Sequence, residues 1–206
     1  MKIECDYSLL EHNTFGIDAK CRRFVEYESV EDAQEAVRSL KEEDHPLLIL
    51  GGGSNLLLTE DYKGTVLHSG ISFIEDVGGG RVRCGSGYVW DDFVAYCVSH
   101  GLYGAENLSI IPGECGASAV QNIGAYGAEA KDLIEEVEAV EIATGRVRHF
   151  KNADCGYSYR QSRFKHEWRN KYLITSVTYR LSSTYRPRLD YGNIRTALAE
   201  RGIAHP

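Results

Sequence analysis

The sequence predicts an α+β protein in two parts, residues 1–68 and residues 69–206. Two observations lead to this prediction. In the first part, a helical apolar pattern lies between short strand-like runs, which is typical of a small α/β unit. After about residue 69, hairpin patterns dominate and helical patterns become rare. Of the 206 residues, 43% are hydrophobic and 26% are charged, so the chain can form a folded core.

The first part contains three predicted strands and one helix. Residues 24–28 form a strand, and Ser29 with Asp32 forms a capping box that begins the helix. Residues 46–50 are a short apolar run typical of a buried strand, and residues 65–68 form a third strand. One face of the helix carries Val30, Ala33, Val37 and Leu40.

The second part begins with a predicted hairpin and a helix. Residues 71–77 and 81–84 flank three glycines, which is a hairpin pattern. A helix follows, and Gly101 is well placed to end it. Its apolar face consists of Trp90, Phe93, Val94, Cys97 and Val98.

Later elements of the second part are mostly strands. Residues 137–142 and 146–150 flank Thr144 and Gly145, a second hairpin pattern. Alternating apolar residues between Leu173 and Leu181 predict a long strand. The last segment, residues 193–206, is predicted to be a helix and its exit.

Composition excludes several classes of function. The net charge of −7 and the pI near 5.5 argue against a nucleic-acid surface over the whole molecule, although a local basic pocket stays compatible. The chain has no apolar run long enough for a signal peptide or a membrane span, so we expect a cytoplasmic protein without a membrane partner. The six cysteines form no CxxC pair, and we expect buried reduced thiols and no metal site.

The first candidate site is the glycine loop: Gly51, Gly52, Gly53, Ser54 and Asn55. Glycines after a buried strand let the backbone approach a phosphate closely, and the two polar side chains can add donors. The loop lacks the dinucleotide-binding fingerprint, because Leu56 occupies the third glycine position, and no P-loop lysine follows. On its residues alone, a phosphate site and a plain tight turn are equally compatible.

The second candidate is the small-residue segment 110–127. Its polar members are mainly amides, a hydroxyl and a phenol, and its small residues are poorly suited to fill a core. Such a stretch can wrap a flat ligand with backbone groups, and the amides of Gln121 and Asn122 can bind the edge of a heterocycle such as isoalloxazine. The alternative is a glycine-rich surface loop.

The third candidate is segment 156–165, in which Arg160 lies among tyrosines. The planar fork of an arginine suits a carboxylate or an enolate. Composition alone favours an ordinary solvated basic and aromatic surface. Residues 191–193 read as a turn when taken by themselves.

Taken in order, these segments are similar to the UDP-N-acetylenolpyruvoylglucosamine reductase (UDP-N-acetylmuramate dehydrogenase) family. The resemblance runs along almost the whole chain and is most specific in its central segment. The matching stretches are residues 13–17, 50–55, 111–113 through 121–127, and 159–166, together with Tyr191 and Gly192.

The resemblance implies a two-domain FAD cradle of the vanillyl-alcohol-oxidase (PCMH) type, with residues 1–68 and 69–206 as its subdomains. It implies non-covalent FAD and NADPH as the hydride donor. The implied substrate is UDP-N-acetylglucosamine enolpyruvate, which the family reduces to UDP-N-acetylmuramate for peptidoglycan, and hence for cell-wall biogenesis.

The resemblance also assigns roles to residues. The glycine loop would bind the FAD diphosphate, and Arg160 would stabilise enolate-like charge at the substrate carboxylate. Tyr126, Tyr159 and Tyr191 would lie near the substrate. The flavin ring and the rest of the cofactor would be held by Pro112, Gly113, Gly116, Ala117, Ser118, Gln121, Asn122, Gly124, Ala125 and Gly127.

The chain departs from the family pattern in two places. Residues 117–119 read Ala-Ser-Ala where Ser-Ser-Pro is more usual, which keeps the residues small. The chain ends at Pro206, whereas the family continues into a third, substrate-binding domain with a proton-donating serine and a glutamate near its end. We therefore expect a flavin-binding part with little or no turnover. The alternatives are another oxidoreductase of the same flavoprotein superfamily and a non-catalytic module that binds FAD or nucleotide.

Overall fold

The computed structural model describes residues 1–203, and its first sheet has four strands. The strands lie in the order β1-β2-β4-β3, with β1 antiparallel to β2 and the other three parallel. The carboxyl ends of the parallel strands therefore meet at one edge. The strands are β1 (Lys2–Ser8), β2 (Lys20–Tyr27), β3 (Leu47–Leu50) and β4 (Tyr62–Ser69).

Helix α1 (Val30–Ser39) follows β2 and begins at the predicted residue. The Asp32 backbone N–H donates to Ser29 Oγ at 3.0 Å, as a capping box requires. The reciprocal bond differs, because the Asp32 carboxylate accepts from the N–H of Glu28 at 3.1 Å. On the face predicted to be apolar, Ala33 and Val37 are buried.

The second sheet has five antiparallel strands in the order β10-β9-β11-β6-β5. Its core contains α2 and α3, and a two-stranded β7-β8 ribbon follows α3. The strands are β5 (Ile74–Gly78), β6 (Arg81–Gly85), β7 (Gly124–Ala125), β8 (Ala128–Glu129), β9 (Ile134–Glu141), β10 (Val147–Lys151) and β11 (Tyr172–Arg180). The helices are α2 (Trp90–Ser99), α3 (Cys115–Gln121) and α4 (Ile194–Glu200).

The predicted strands, both hairpins and the first two helices are confirmed. Gly101 adopts a φ of 68° just after α2, as a helix-ending glycine does. Val98 was wrongly placed on the apolar face of α2, because 44% of its surface is exposed. A helix also begins near residue 193 as predicted, whereas the predicted exit at 204–206 lies outside the described residues.

The central segment differs from the expected open wrap. Residues 115–121 form the short helix α3, and four of them are completely or almost completely buried in the core of the second sheet. Small side chains suit this place because they let the helix approach Ser86, just after β6, closely: a Cβ added to Gly116 would lie 2.7 Å from the Cβ of Ser86.

An apolar cluster joins the two sheets. In it, Val25 and Leu67 of the first sheet, with α1, meet Val140 and Leu173 of the second. The side chain of Gln34 in α1 also donates to the carbonyl oxygen of Gly145 at 2.6 Å. The position of the domain boundary, residues 68 and 69, stays a prediction.

Five of the six cysteines are buried free thiols, as predicted, and Cys5 is exposed. Within residues 1–203, no group of histidine, cysteine and acidic residues has the arrangement of a metal site. None of the helices described for these residues has the length and apolar character needed to cross a membrane.

We predict that Tyr179→Phe lowers the free energy of unfolding by about 1–2 kcal/mol. The Tyr179 hydroxyl is buried, donates to the carbonyl oxygen of Cys115 at 3.1 Å and lies 2.9 Å from Ser118 Oγ. Its loss would leave these α3 groups short of a partner. Urea unfolding measures the change, with the partly exposed Tyr185→Phe as control. Equal effects of the two substitutions would contradict this role of the hydroxyl.

Candidate functional site

A cavity of about 700 Å³ lies at the carboxyl edge of the parallel strands, a size typical of small-molecule sites. Three stretches of chain form its walls: residues 47–56 with the glycine loop, residues 114–121 with α3, and residues 164–174. The structure therefore brings the first two predicted segments, and the end of the third, to one place.

The glycine loop packs against residues 12–17. Gly53 has a φ of 62°, and a Cβ added there would lie 2.0 Å from the carbonyl oxygen of His12. Asn13 stabilises this segment, because its amide donates to the carbonyl oxygens of Leu9 (2.7 Å) and Ile17 (2.9 Å) and accepts from the Ile17 N–H (3.0 Å). The backbone of the loop thus has one defined path.

The glycine loop also contacts the central segment directly. Ser54 Oγ donates to the carbonyl oxygen of Pro112 at 3.2 Å. A Cβ added to Gly51 would lie 3.2 Å from the carboxylate of Glu114, and one added to Gly52 would lie 3.5 Å from Gly113 Cα. A Cβ at Gly51 would therefore require its neighbours to shift by a few tenths of an ångström, whereas one at Gly52 would make an ordinary van der Waals contact.

Not all the predicted flavin-binding side chains face the cavity. Gly116, Ala117 and Gln121 line it, whereas the Ser118 side chain of α3 is buried against Tyr179. Both N–H groups of the Asn122 amide are already used, in bonds to Glu129 Oε2 (2.6 Å) and the carbonyl oxygen of Ser158 (2.8 Å). The Asn122 side chain thus has no donor left for a heterocycle.

The third wall carries basic residues interleaved with aromatic rings. Lys165, His166 and Arg169 line the cavity beside Phe164 and Trp168. Sequence reasoning assigned none of these residues to the cofactor, although the mixture of basic and aromatic residues is visible in the sequence. This wall can neutralise an anionic ligand and contact a flat one.

Arg160 and the three candidate tyrosines do not line this cavity. Arg160 has a φ of 55°, and its Nη2 donates to the carbonyl oxygen of Gly124 at 2.7 Å. The rings of Tyr126 and Tyr191 meet edge to face with centroids 6.1 Å apart, and both are more than half exposed. Tyr159 is 76% exposed. These residues lie on the surface near the C-terminal end of α3 and its β7-β8 ribbon.

The turn between β7 and β8 positions the remaining predicted residues. Gly124 and Ala125 form β7, and Tyr126 (φ 48°) and Gly127 (φ 76°) make the turn. The Asn107 side chain fixes it by donating to the carbonyl oxygen of Tyr126 at 2.9 Å. Non-glycine residues at positive φ are costly, and such strain is concentrated at functional sites.

Glu114 is an acidic residue in the cavity to which sequence reasoning gave no role. Burial, with a smaller effect from the negative charge of Glu26, raises the pKa of the Glu114 carboxyl to about 8. The sequence held a signal, since Glu114 is the one acidic residue in the small-residue segment 110–127.

The FAD binding domain family matches residues 21–151 of the chain. Two similar curated proteins are named UDP-N-acetylenolpyruvoylglucosamine reductase. The one from Bacteroides fragilis (strain YCH46) is 52% identical over 95% of this chain and 60% of its own length. The one from Pseudomonas syringae pv. syringae is 42% identical over 100% of this chain and 62% of its own length. The chain thus spans about three-fifths of the length of these relatives.

Solved structures share the fold. The UDP-N-acetylenolpyruvylglucosamine reductase from Thermus caldophilus superposes with a TM-score of 0.72 at 24% identity, over 100% of this chain and 71% of the other. The 6-hydroxy-D-nicotine oxidase from Arthrobacter nicotinovorans gives 0.66 at 21%, over 87% and 42%. The predicted α+β FAD-binding cradle is therefore confirmed. The chain belongs to the FAD binding domain family, and its predicted resemblance to the UDP-N-acetylenolpyruvoylglucosamine reductases is confirmed as well.

Proposed function

We propose that the cavity binds FAD non-covalently in a reductase of peptidoglycan precursor synthesis. The full reaction would reduce UDP-N-acetylglucosamine enolpyruvate to UDP-N-acetylmuramate with NADPH as the hydride donor, in the cytoplasm. The observation that carries this proposal is the meeting of the glycine loop and residues 112–121 at one cavity. The names of the similar curated proteins support the substrate.

The residues of the cavity fit an anionic dinucleotide. The backbone of Gly51–Asn55 can approach a diphosphate, and Lys165 and Arg169 on the facing wall supply positive charge. The rings of Phe164 and Trp168 offer apolar contact. Bound FAD would supply the hydride chemistry that the protein's side chains lack.

Outside the cavity, the surface around Arg160 is the proposed place for the substrate carboxylate. Its bond to Gly124 O fixes one nitrogen of the guanidinium and leaves other N–H groups free to bind negative charge. The exposed rings of Tyr126, Tyr159 and Tyr191 would flank the substrate. The low turnover expected of residues 1–206 alone stays a prediction.

We predict that the purified protein turns yellow and retains flavin after FAD is added and excess is removed. The measurement is the visible absorption spectrum, with flavin bands at roughly 370 and 450 nm set by the cofactor itself. Riboflavin, which lacks the diphosphate, serves as the control ligand and should bind more weakly. A protein that is folded by circular dichroism but ignores added FAD would refute the proposed cofactor.

A second candidate function, another oxidase or reductase on the same fold, gains some support from the 6-hydroxy-D-nicotine oxidase structure. Reduction of the bound flavin separates the two. Under anaerobic conditions the proposed reductase is reduced by NADPH and reoxidised by UDP-N-acetylglucosamine enolpyruvate. Reduction by a small alcohol or amine instead would favour the oxidase.

A further inference from the structure

The carboxyl group of Glu114 lies against the glycine loop inside the cavity. Its Oε2 is 3.2 Å from the place of a Cβ on Gly51, and its Oε1 is 3.7 Å from the place of a Cβ on Gly52. Within residues 1–203, neither oxygen has a hydrogen-bond or ion-pair partner in the protein. A free carboxyl therefore stands beside the backbone proposed to bind a diphosphate.

The charged groups around Glu114 do not compensate it. Glu26 of β2 adds negative charge, and its own contact is His68 of β4, with Nε2 at 3.5 Å. Lys165, His166 and Arg169 belong to the facing wall, and none of them forms an ion pair with Glu114 in the described part of the chain. The other titratable neighbours are Tyr27 and Cys115, whose pKa values burial raises.

An ionised Glu114 would repel the ligand that the loop is built to approach. Two negative groups in a partly desolvated cavity repel each other strongly, and protonation of the weaker acid relieves this repulsion. The diphosphate is the stronger acid, so the proton belongs on Glu114. In that form the carboxyl changes from an acceptor to a donor.

We propose that Glu114 positions the dinucleotide by donating a hydrogen bond from its protonated carboxyl to the ligand's diphosphate. This inference rests on the proposed binding of FAD in the cavity. In alkaline solution, Glu114 takes up one proton from solvent when the ligand binds. The proton returns to solvent when the ligand dissociates from the protein. FAD binding is then linked to proton uptake above the pH at which free Glu114 ionises.

The test is the dissociation constant of FAD between pH 6 and pH 9.5, followed by flavin fluorescence. For the unaltered protein we expect a constant value up to about pH 7, and an increase that approaches tenfold per pH unit above about pH 8, since one proton is taken up per ligand. Burial and the charge of Glu26 place the pKa of free Glu114 at about 8, which sets this window. Calorimetry at pH 9 in two buffers of different ionisation enthalpy should give an uptake close to one proton.

Two variants separate the roles of the carboxyl. Glu114→Gln keeps a donor without ionising, so its dissociation constant should stay flat and should be about tenfold lower than that of the unaltered protein at pH 9. Glu114→Met has neither donor nor charge, so its binding should be flat but weaker at pH 6. Glu28→Gln, at an exposed position outside the cavity, is the matched control and should keep the original pH dependence.

Several results would overturn the inference. They are a pH-independent dissociation constant in the unaltered protein, the same slope in Glu114→Gln, or tighter binding as the pH rises, which would make ionised Glu114 an acceptor from ligand hydroxyls. Absence of FAD binding at every pH would instead refute the proposed cofactor. In that case ADP becomes the diphosphate probe of the cavity, and binding without pH dependence, or no binding, overturns the role of Glu114.

Discussion

Replacing Gly53 with alanine is expected to destabilise the protein by about 4 kcal/mol or more, whereas the same change at Gly16 should cost only about 1 kcal/mol. Both glycines have nearly the same left-handed backbone, with φ values of 62° and 63°. They differ in surroundings. The new Cβ at Gly53 would lie 2.0 Å from the carbonyl oxygen of His12, but the one at Gly16 would meet nothing within 4 Å.

The large cost arises because the obstacle at Gly53 is backbone. The residues next to His12 are held by the hydrogen bonds of Asn13, so they can move only if those bonds break. Urea unfolding of both variants and of the unaltered protein gives the two differences directly. If Gly53→Ala folds, it should also bind FAD more weakly than Gly16→Ala, because the loop must leave its path. Similar stability losses at the two positions would contradict the close contact.

Replacing Arg160 with glutamine is expected to lower the turnover number for UDP-N-acetylglucosamine enolpyruvate by about 10²–10³-fold with little change in FAD affinity. The guanidinium lies outside the cavity, so the cofactor should bind as before. Its positive charge would be lost at the point where negative charge develops on the substrate. Glutamine keeps a donor for the carbonyl oxygen of Gly124.

The measurement is NADPH oxidation by the full polypeptide that the gene encodes, with flavin content checked by absorption. Arg160→Lys is expected to recover only part of the loss, since an ammonium keeps the charge without the planar fork. Arg148→Gln is the matched control and should keep full turnover. It removes an exposed arginine of β10 that forms an ion pair with Glu141 of β9. A variant at Arg160 with unchanged turnover would exclude this residue from the chemistry.

Most of the predicted strands have a buried face, whereas the mostly exposed strands β5 and β10 were predicted from the hairpins that they form with β6 and β9. Strand β1 was missed although Ile3, Cys5 and Tyr7 alternate with polar residues along Lys2–Ser8. Its partner is β2, and nearly all residues of β1 are exposed in the structure, so this alternation marks no face in the core. At an exposed edge strand, alternation of residue types therefore does not indicate burial.

The candidate site was predicted in its segments but not in the direction of individual side chains. The glycine loop and residues 112–121 do meet at the cavity. The sequence alone, however, did not indicate that residues 115–121 form a buried helix. Their small side chains are explained by the close approach of α3 to Ser86. The use of Asn122 by Glu129 and Ser158 and the burial of Glu114 depend on contacts between distant parts of the chain, which the local sequence does not contain.

The apolar cluster that joins the two sheets has a consequence for how the protein melts. Val25 and Leu67 from one sheet and Val140 and Leu173 from the other are each buried by the opposite side. Neither sheet can open without exposing apolar surface of both, so heat should melt them in one cooperative transition. Calorimetry should then give a single peak whose van't Hoff enthalpy equals the measured one. A ligand that binds in the cavity of the folded protein would move that whole peak to higher temperature.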